Sequence, residues 1–164
     1  MTDREERGRL THVGPDGSAR MVDVSAKDPT VRTARARGSI RMNPATLAAI
    51  RSHEIAKGDV LSVARVAGIM AAKRTAELVP LCHPLLLDDV QVELTLDETV
   101  PGVVVQTLAR TTGRTGVEME ALIAATVALV TVYDMTKSLD RSMTIGDISL
   151  IQKTGGRSDP YFAG

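Results

Sequence analysis

A histidine held between two prolines is the first place in this 164-residue sequence where chemistry is expected. His83 follows Pro80, Leu81 and Cys82 and precedes Pro84. Because proline fixes its own φ angle, the loop is stiff and would hold the imidazole in a geometry suited to hydrogen bonding or proton transfer. An ordinary capped loop histidine explains the same spacing about equally well.

The cysteine beside this histidine raises the question of a metal site. Zinc needs three or four ligands at characteristic spacings, and one cysteine with three widely separated histidines does not supply them. Cys82 is better explained as a small buried hydrophobic residue. We therefore expect neither a bound metal nor a cofactor.

Two glutamates lie at the predicted start of a long helix. Residues 115–118, Thr-Gly-Val-Glu, match the S/T-x-x-E capping box, and Glu120 is favoured near the positive end of a helix. Structural roles therefore explain both Glu118 and Glu120. The glycine-containing stretch 113–116 also leaves amide groups exposed where an anion could bind.

An aspartate and a lysine lie near the end of the same predicted helix. Asp134 and Lys137 are three residues apart and share a face, so they can form an ion pair; on an ordinary surface it would contribute only about 0.3–0.5 kcal/mol. They follow the apolar stretch 122–132, where partial burial would shift their pKa values. Glu120 lies fourteen residues earlier, about 21 Å along a helix. One small ligand would therefore meet both carboxylates only where two subunits contribute to one site.

Basic residues elsewhere could serve a highly charged substrate. A triphosphate needs several cations or backbone donors, and the candidates are Lys27, Arg32, Lys57, Lys73 and Lys137. Each alone is explained as a solvated surface residue. The sequence contains no G-x-x-x-x-G-K-[ST] loop, which argues against a standard nucleotide hydrolase.

The elements that must position these residues follow the order β-α-β-β-α-β. Alternation of apolar and polar residues predicts strands at 35–42, 89–96, about 103–110 and 145–153. Helical spacing and caps predict a first helix that starts at Asn43-Pro44, is split near Lys57-Gly58 and ends before Pro80. They predict a second helix from Val117 to about Leu139. We expect an α+β, ferredoxin-like fold with an antiparallel sheet covered by helices on one face.

Length and composition predict one domain, placed at 35–156, with a partly mobile arm at 1–34 and a frayed tail at 157–164. Twenty basic and twenty acidic residues, with very few aromatic ones, argue against nucleic-acid binding. The apolar run 121–132 is shorter than the roughly 20 residues that span a bilayer, which indicates a buried helix and an oligomer rather than a membrane protein. One cysteine and no signal-peptide core point to the cytoplasm.

Seven segments, in order along residues 10–156, closely resemble the cyclic pyranopterin monophosphate synthase family, MoaC, of molybdenum cofactor biosynthesis. They are 21–27 (MVDVSAK), 57–60 (KGDV), 64–69 (ARVAGI), 71–75 (AAKRT), 81–85 (LCHPL), 115–122 (TGVEMEAL) and 133–137 (YDMTK). Several long motifs in the right order make coincidence implausible. Thr136 stands where some members have cysteine, which is not a site position.

The resemblance implies a site and an assembly. Asp134 takes the position of the family's catalytic aspartate, with Lys137 beside it, and Lys57, Lys73 and His83 take its other active-site positions. The resemblance puts substrate-binding segments at 81–85 and 118–120. The expected contacts are Leu81, Cys82, His83, Glu118, Met119, Glu120 and Lys73, with Lys27 and Arg32 as further cations. It also implies a ferredoxin-like fold and a homohexamer, a trimer of dimers with active sites at the dimer interface.

The resemblance also implies the reaction. The substrate would be 3′,8-cyclo-7,8-dihydro-GTP, made from GTP by a radical enzyme, and the products cyclic pyranopterin monophosphate and pyrophosphate. Two other classes remain open: a regulatory sensor that binds a nucleotide without changing it, and a purely structural oligomerisation module.

Overall fold

Antiparallel strands form a single sheet on which the helices pack. The computed structural model describes residues 16–156 and 159–163. In chain order, the elements of these residues are β1 (Thr30–Arg41), α1 (Pro44–Arg51), α2 (Val60–Ala72), α3 (Thr75–Leu78), β2 (Asp89–Asp97), β3 (Gly102–Gly113), α4 (Glu118–Thr136), β4 (Thr144–Thr154) and β5 (Tyr161–Phe162).

The strands lie side by side in the order β2-β3-β1-β4-β5, and every neighbouring pair is antiparallel. Strands β2 and β3 form the predicted hairpin, and β1 lies at the centre of the sheet between β3 and β4. The α+β class is confirmed, and the order of elements is consistent with the predicted ferredoxin-like fold.

Strand β1 shows why the helices cover one face of the sheet. Its residues alternate, so that Ala34, Ala36 and Ile40 are fully buried whereas Arg35 and Arg37 are exposed. Because successive side chains of a strand point to opposite faces, the small apolar residues form a surface against which a helix can pack closely. The arginine face stays open to solvent.

The long helix α4 forms the centre of the core. Leu129 and Val132 are fully buried within a cluster that also takes in Ile40, Val103 and Val105 of the sheet. By length and hydropathy alone α4 could cross a membrane. Its burial against the sheet instead fits the core helix that the apolar run 121–132 predicts.

The first helix is split, as the sequence indicates. The Asn43 side chain accepts a hydrogen bond from the Thr46 amide at 2.8 Å, and Pro44 occupies the first turn of α1. Asp59 caps α2 in the same way through the Ser62 amide at 3.0 Å. The loop 52–59 between the two helices therefore has fixed ends.

The chain departs from the expected boundaries at both ends. Strand β1 begins at Thr30, inside the arm predicted as loop up to residue 34, because Thr30–Ala34 pairs with β3. The prediction of a frayed tail at 157–164 is wrong at Tyr161 and Phe162, which pair with Lys153 and Gln152 of β4. Residues 1–15 of the predicted arm lie outside the described residues.

Helices α2 and α4 approach each other through small residues. Any Cβ atom at Gly68 would lie 2.8 Å from the carbonyl oxygen of Ala124 and 3.3 Å from the Cβ of Ala128. These distances leave no room for a larger side chain, and Ala64, Ala124 and Ala128 are fully buried around the contact. The close packing of interiors thus fixes α2 against α4.

Replacing Gly68 with valine should lower the free energy of unfolding by about 1–3 kcal/mol, because the helices must separate to admit the side chain. Urea denaturation at one protein concentration measures the change. Met70→Val is the matched control, since Met70 lies on the exposed side of α2 and a surface change should stay within about 0.5 kcal/mol. Equal stability of the two variants would contradict the close contact.

Candidate active site

Two lysines hold one aspartate at the carboxyl end of α4; we call Lys57, Asp134 and Lys137 the lysine–aspartate cluster. Lys57 Nζ, from the loop between α1 and α2, lies 2.9 Å from Asp134 Oδ2 and donates to the Asp134 backbone carbonyl at 2.9 Å. Lys137 Nζ lies 2.7 Å from Asp134 Oδ1. The predicted Asp134–Lys137 pair is confirmed, and the structure adds Lys57 to it.

The lysines fix the charge of this cluster. Hydrogen bonds from Lys137 and then Lys57, reinforced by their positive charges, lower the pKa of Asp134 to about 2. The carboxylate is therefore ionised at neutral pH. Two ammonium groups around one carboxylate leave a net positive charge, and all three side chains are about half exposed, so an anionic ligand can reach them.

A second group of candidates surrounds a cavity of about 350 Å³; we call it the pocket cluster. The cavity is lined by Val22, Val24, Lys27, Leu81, Cys82, His83, Leu85, Thr115, Gly116, Glu118, Met119 and Glu120. The loop 81–85, the start of α4 and the segment 22–27 thus meet, although they are far apart in sequence. Six of the predicted substrate contacts, together with Lys27, line this one cavity.

His83 is oriented by the segment that precedes β1. Its Nε2 lies 2.7 Å from the carbonyl oxygen of Val22. Because a carbonyl oxygen only accepts hydrogen bonds, this nitrogen carries a proton and donates it. The loop histidine therefore has a fixed ring direction at the cavity.

Glu118 is held by a cation that the sequence reasoning missed. Lys153 Nζ of β4 lies 2.6 Å from Glu118 Oε1, and both side chains are largely buried. Which strand neighbours the start of α4 depends on the fold, so no local pattern could have found this pair.

The predicted capping box at the start of α4 is wrong. The helix begins at Glu118 after an N-cap at Val117, and no side chain caps it. The Glu118 carboxylate instead folds back over Gly116, where any side chain would collide with it. Thr115 lines the cavity, and the first amide groups of α4 are left without a side-chain cap beside it.

Glu120 is buried, with 4% of its surface exposed. Burial, aided by the negative charge of Glu118, raises its pKa to about 7 against the opposing hydrogen bond of its own amide. Desolvation, followed by the charges of Glu120 and Glu118, also raises the pKa of Cys82. The thiol therefore stays protonated at neutral pH, which argues against Cys82 as a nucleophile.

The remaining predicted cations lie outside both clusters. Arg32 Nε donates to the Gly113 carbonyl at 2.9 Å, at the edge of the loop that leads to the pocket. Lys73 caps the carboxyl end of α2 and is exposed. Across residues 16–156 and 159–163, no three histidine, cysteine, aspartate or glutamate side chains gather as a metal site would need. A further cavity of about 380 Å³ opens on the arginine face of the sheet and contains no predicted site residue.

The two clusters lie at opposite ends of one helix. Glu120 is in the first turn of α4 and Asp134 in its last, and α4 is continuous between them. At 1.5 Å per residue their backbones are about 21 Å apart. Within one chain, a single small ligand does not bridge them.

Known proteins that are similar in sequence to this chain fall in one family. The chain belongs to the MoaC family, whose model matches residues 21–156. Proteins named cyclic pyranopterin monophosphate synthase from Brucella ovis, Brucella melitensis and Brucella suis are each 58% identical to it over 154 residues. The matches cover 94% of this chain and 93% of each relative.

Removing one lysine should raise the pKa of the Asp134 carboxyl group. In Lys57→Met, the pKa of Asp134 should rise from about 2 towards its ordinary value, because one hydrogen bond and one positive charge are lost. Carboxyl carbon shifts followed by NMR through a pH titration measure it. Lys153→Met is the control, since Lys153 pairs with Glu118, and should leave Asp134 unchanged. An unaltered Asp134 titration in Lys57→Met would show that this lysine does not bind the carboxylate in solution.

Proposed function

We propose that this protein is a cyclic pyranopterin monophosphate synthase, a phosphorus–oxygen lyase that converts 3′,8-cyclo-7,8-dihydro-GTP to cyclic pyranopterin monophosphate and pyrophosphate. The observation that carries the proposal is the lysine–aspartate cluster, formed by Asp134 and Lys137 of the YDMTK segment together with Lys57. Membership of the MoaC family and the names of its close relatives support the same activity.

The lysine–aspartate cluster suits the step that releases pyrophosphate. A substrate hydroxyl group loses its proton to solvent as its oxygen attacks the first phosphorus. A new P–O bond closes the cyclic phosphate, and the bond to the pyrophosphate group breaks with its electron pair remaining on pyrophosphate. The ammonium groups of Lys57 and Lys137 can stabilise the negative charge on the leaving group. No protein nucleophile is required.

The pocket cluster suits the rearrangement of the ring system. Opening the guanine-derived ring and closing a pterin ring needs repeated proton transfers, for which a positioned imidazole and carboxyl groups are suitable. His83 has a fixed direction and Glu118 a fixed partner. Lys27, Arg32 and Lys73 are proposed to assist with the phosphates.

Both clusters would serve one site if two subunits supplied them. The 21 Å between Glu120 and Asp134 favours a site at a dimer interface, where α4 of one subunit brings its first turn towards the last turn of its partner's helix. From the family resemblance we further infer a homohexamer, a trimer of dimers. We place it in the cytoplasm, downstream of a radical GTP cyclase that supplies the substrate.

Asp134→Asn should abolish pterin formation while preserving assembly. The amide keeps the size of the side chain, but it loses the negative charge that pairs with Lys57 and Lys137. The assay incubates the variant with 3′,8-cyclo-7,8-dihydro-GTP, oxidises the products, and measures the fluorescent pterin and pyrophosphate together. Glu98→Gln is the control, since Glu98 belongs to an exposed ion pair with Arg51 and should turn over normally. Normal turnover by Asp134→Asn would overturn the proposed role of the cluster.

Two competing classes make different predictions in the same assay. A nucleotide sensor would return the bound compound chemically unchanged, which mass spectrometry detects. A structural module would not bind it and would tolerate loss of His83 and Lys57.

Mixing two inactive variants tests the shared site. If each site takes Asp134 from one subunit and His83 from the other, a dimer of Asp134→Asn with His83→Ala contains one intact site. Random mixing should then restore about a quarter of the wild-type activity, because half of the dimers are mixed and each has one of two sites. Two affinity tags verify mixing. Verified mixed oligomers without activity would show that one subunit supplies both residues.

A further inference from the structure

Glu118 and Glu120 are two residues apart but lie in unlike surroundings. Glu118 has a cation, Lys153, at 2.6 Å. Glu120 is more deeply buried, with 4% of its surface exposed. Its carboxyl group accepts a hydrogen bond from its own amide, but it forms no ion pair within the residues that the structure describes. It nevertheless lines the 350 Å³ cavity with His83. One carboxyl group is thus neutralised by a neighbour, and the other faces the cavity without one.

The physical consequence is a difference in protonation. A carboxylate removed from water without a cation is strongly disfavoured, so the group takes up a proton instead. The groups that face Glu120 do not reverse this tendency: Glu118 raises the pKa of Glu120, and Cys82 is an uncharged thiol at neutral pH. The cavity's remaining ionisable side chains are Lys27 and His83. Neither forms an ion pair with Glu120 in the described part of the chain.

We propose that Glu120 is the proton donor of the pocket, while Glu118 stays paired with Lys153. In the step, the O–H bond of the Glu120 carboxylic acid breaks, an N–H bond forms on a nitrogen of the purine-derived ring, and the electron pair of the O–H bond remains on the carboxylate. Solvent returns the proton through the open cavity. This inference rests on the proposed function and assigns the acid of that reaction to a residue the family resemblance gives only as a substrate contact.

The carboxyl group of the lysine–aspartate cluster is not the proton donor. Asp134 is ionised, with two lysines at hydrogen-bond distance, so it carries no proton to give at neutral pH. Where two carboxyl groups of a site have different surroundings, one can be protonated while the other is ionised at the same pH. The protonated group can then act as the acid and the ionised group as the base. By this criterion Glu120 is the acid, and Asp134 is the ionised carboxylate.

The first test observes the proton without any substrate. Infrared spectra of the full-length protein, recorded from about pH 5 to about pH 9, should contain a protonated carboxyl band that disappears with a midpoint near 7. Glu120→Gln should lack this band and Glu118→Gln should retain it. A band that persists in Glu120→Gln, or no such band in the wild type, would overturn the proposal. The result does not depend on activity, so it stands apart from any failure of the proposed function.

The second test observes the transfer. Glu120→Gln should lower the single-turnover rate by about 10²–10⁴-fold, the usual contribution of a positioned acid, with KM changed by less than about twofold, because glutamine still donates a hydrogen bond. The wild-type rate should fall as the pH rises through about 7, since only the acid form donates. The rate of Glu118→Gln should show the same kind of fall at high pH. A Glu120→Gln enzyme with the wild-type rate would show that Glu120 is only a buried structural residue.

Discussion

The contact between α2 and α4 is the constraint on which the rest of the structure depends. Gly68 meets the backbone of Ala124 so closely that the two helices lie against each other and the sheet as one layer. Both candidate clusters are attached to that layer. The pocket forms where α4 begins, and Lys57 enters from the loop immediately before α2. Small side chains in the core therefore set the positions of charged groups at the surface.

Local patterns predicted most of the elements because their causes are local. Asn43-Pro44 caps α1, and alternation in β1 and the β2–β3 hairpin needs no distant information. What the sequence could not supply depended on pairing between distant segments. Thr30–Ala34 contains too few apolar residues to indicate a strand and is ordered by β3, whereas Tyr161 and Phe162 form a strand only because the edge of β4 is available.

The candidate site was only partly predictable from the sequence, because some of its contacts join segments that are distant in the chain. The Asp134–Lys137 pair follows from helical spacing, but the approach of Lys57 and the Lys153–Glu118 pair require the folded chain. The capping box failed because the Glu118 carboxylate has a stronger partner in a lysine than in a backbone amide. The burial of Glu120 is not a property of its local sequence, since a first-turn glutamate normally faces water. The loop 81–85 and the segment 22–27, which line the same cavity, are distant from it in sequence.

Helix α4 joins the two clusters without a break, and this continuity restricts how the chain can vary. One residue inserted between Glu120 and Asp134 would turn one end of the helix by about 100° relative to the other and lengthen it by about 1.5 Å. Asp134 could then no longer meet Lys57 while Glu120 lines its pocket, even though no site residue had changed. Exposed positions such as Val130 are free to vary in side chain. Geometry fixes the number of residues from 120 to 134. Selection would therefore eliminate insertions and deletions in this stretch while substitutions accumulate.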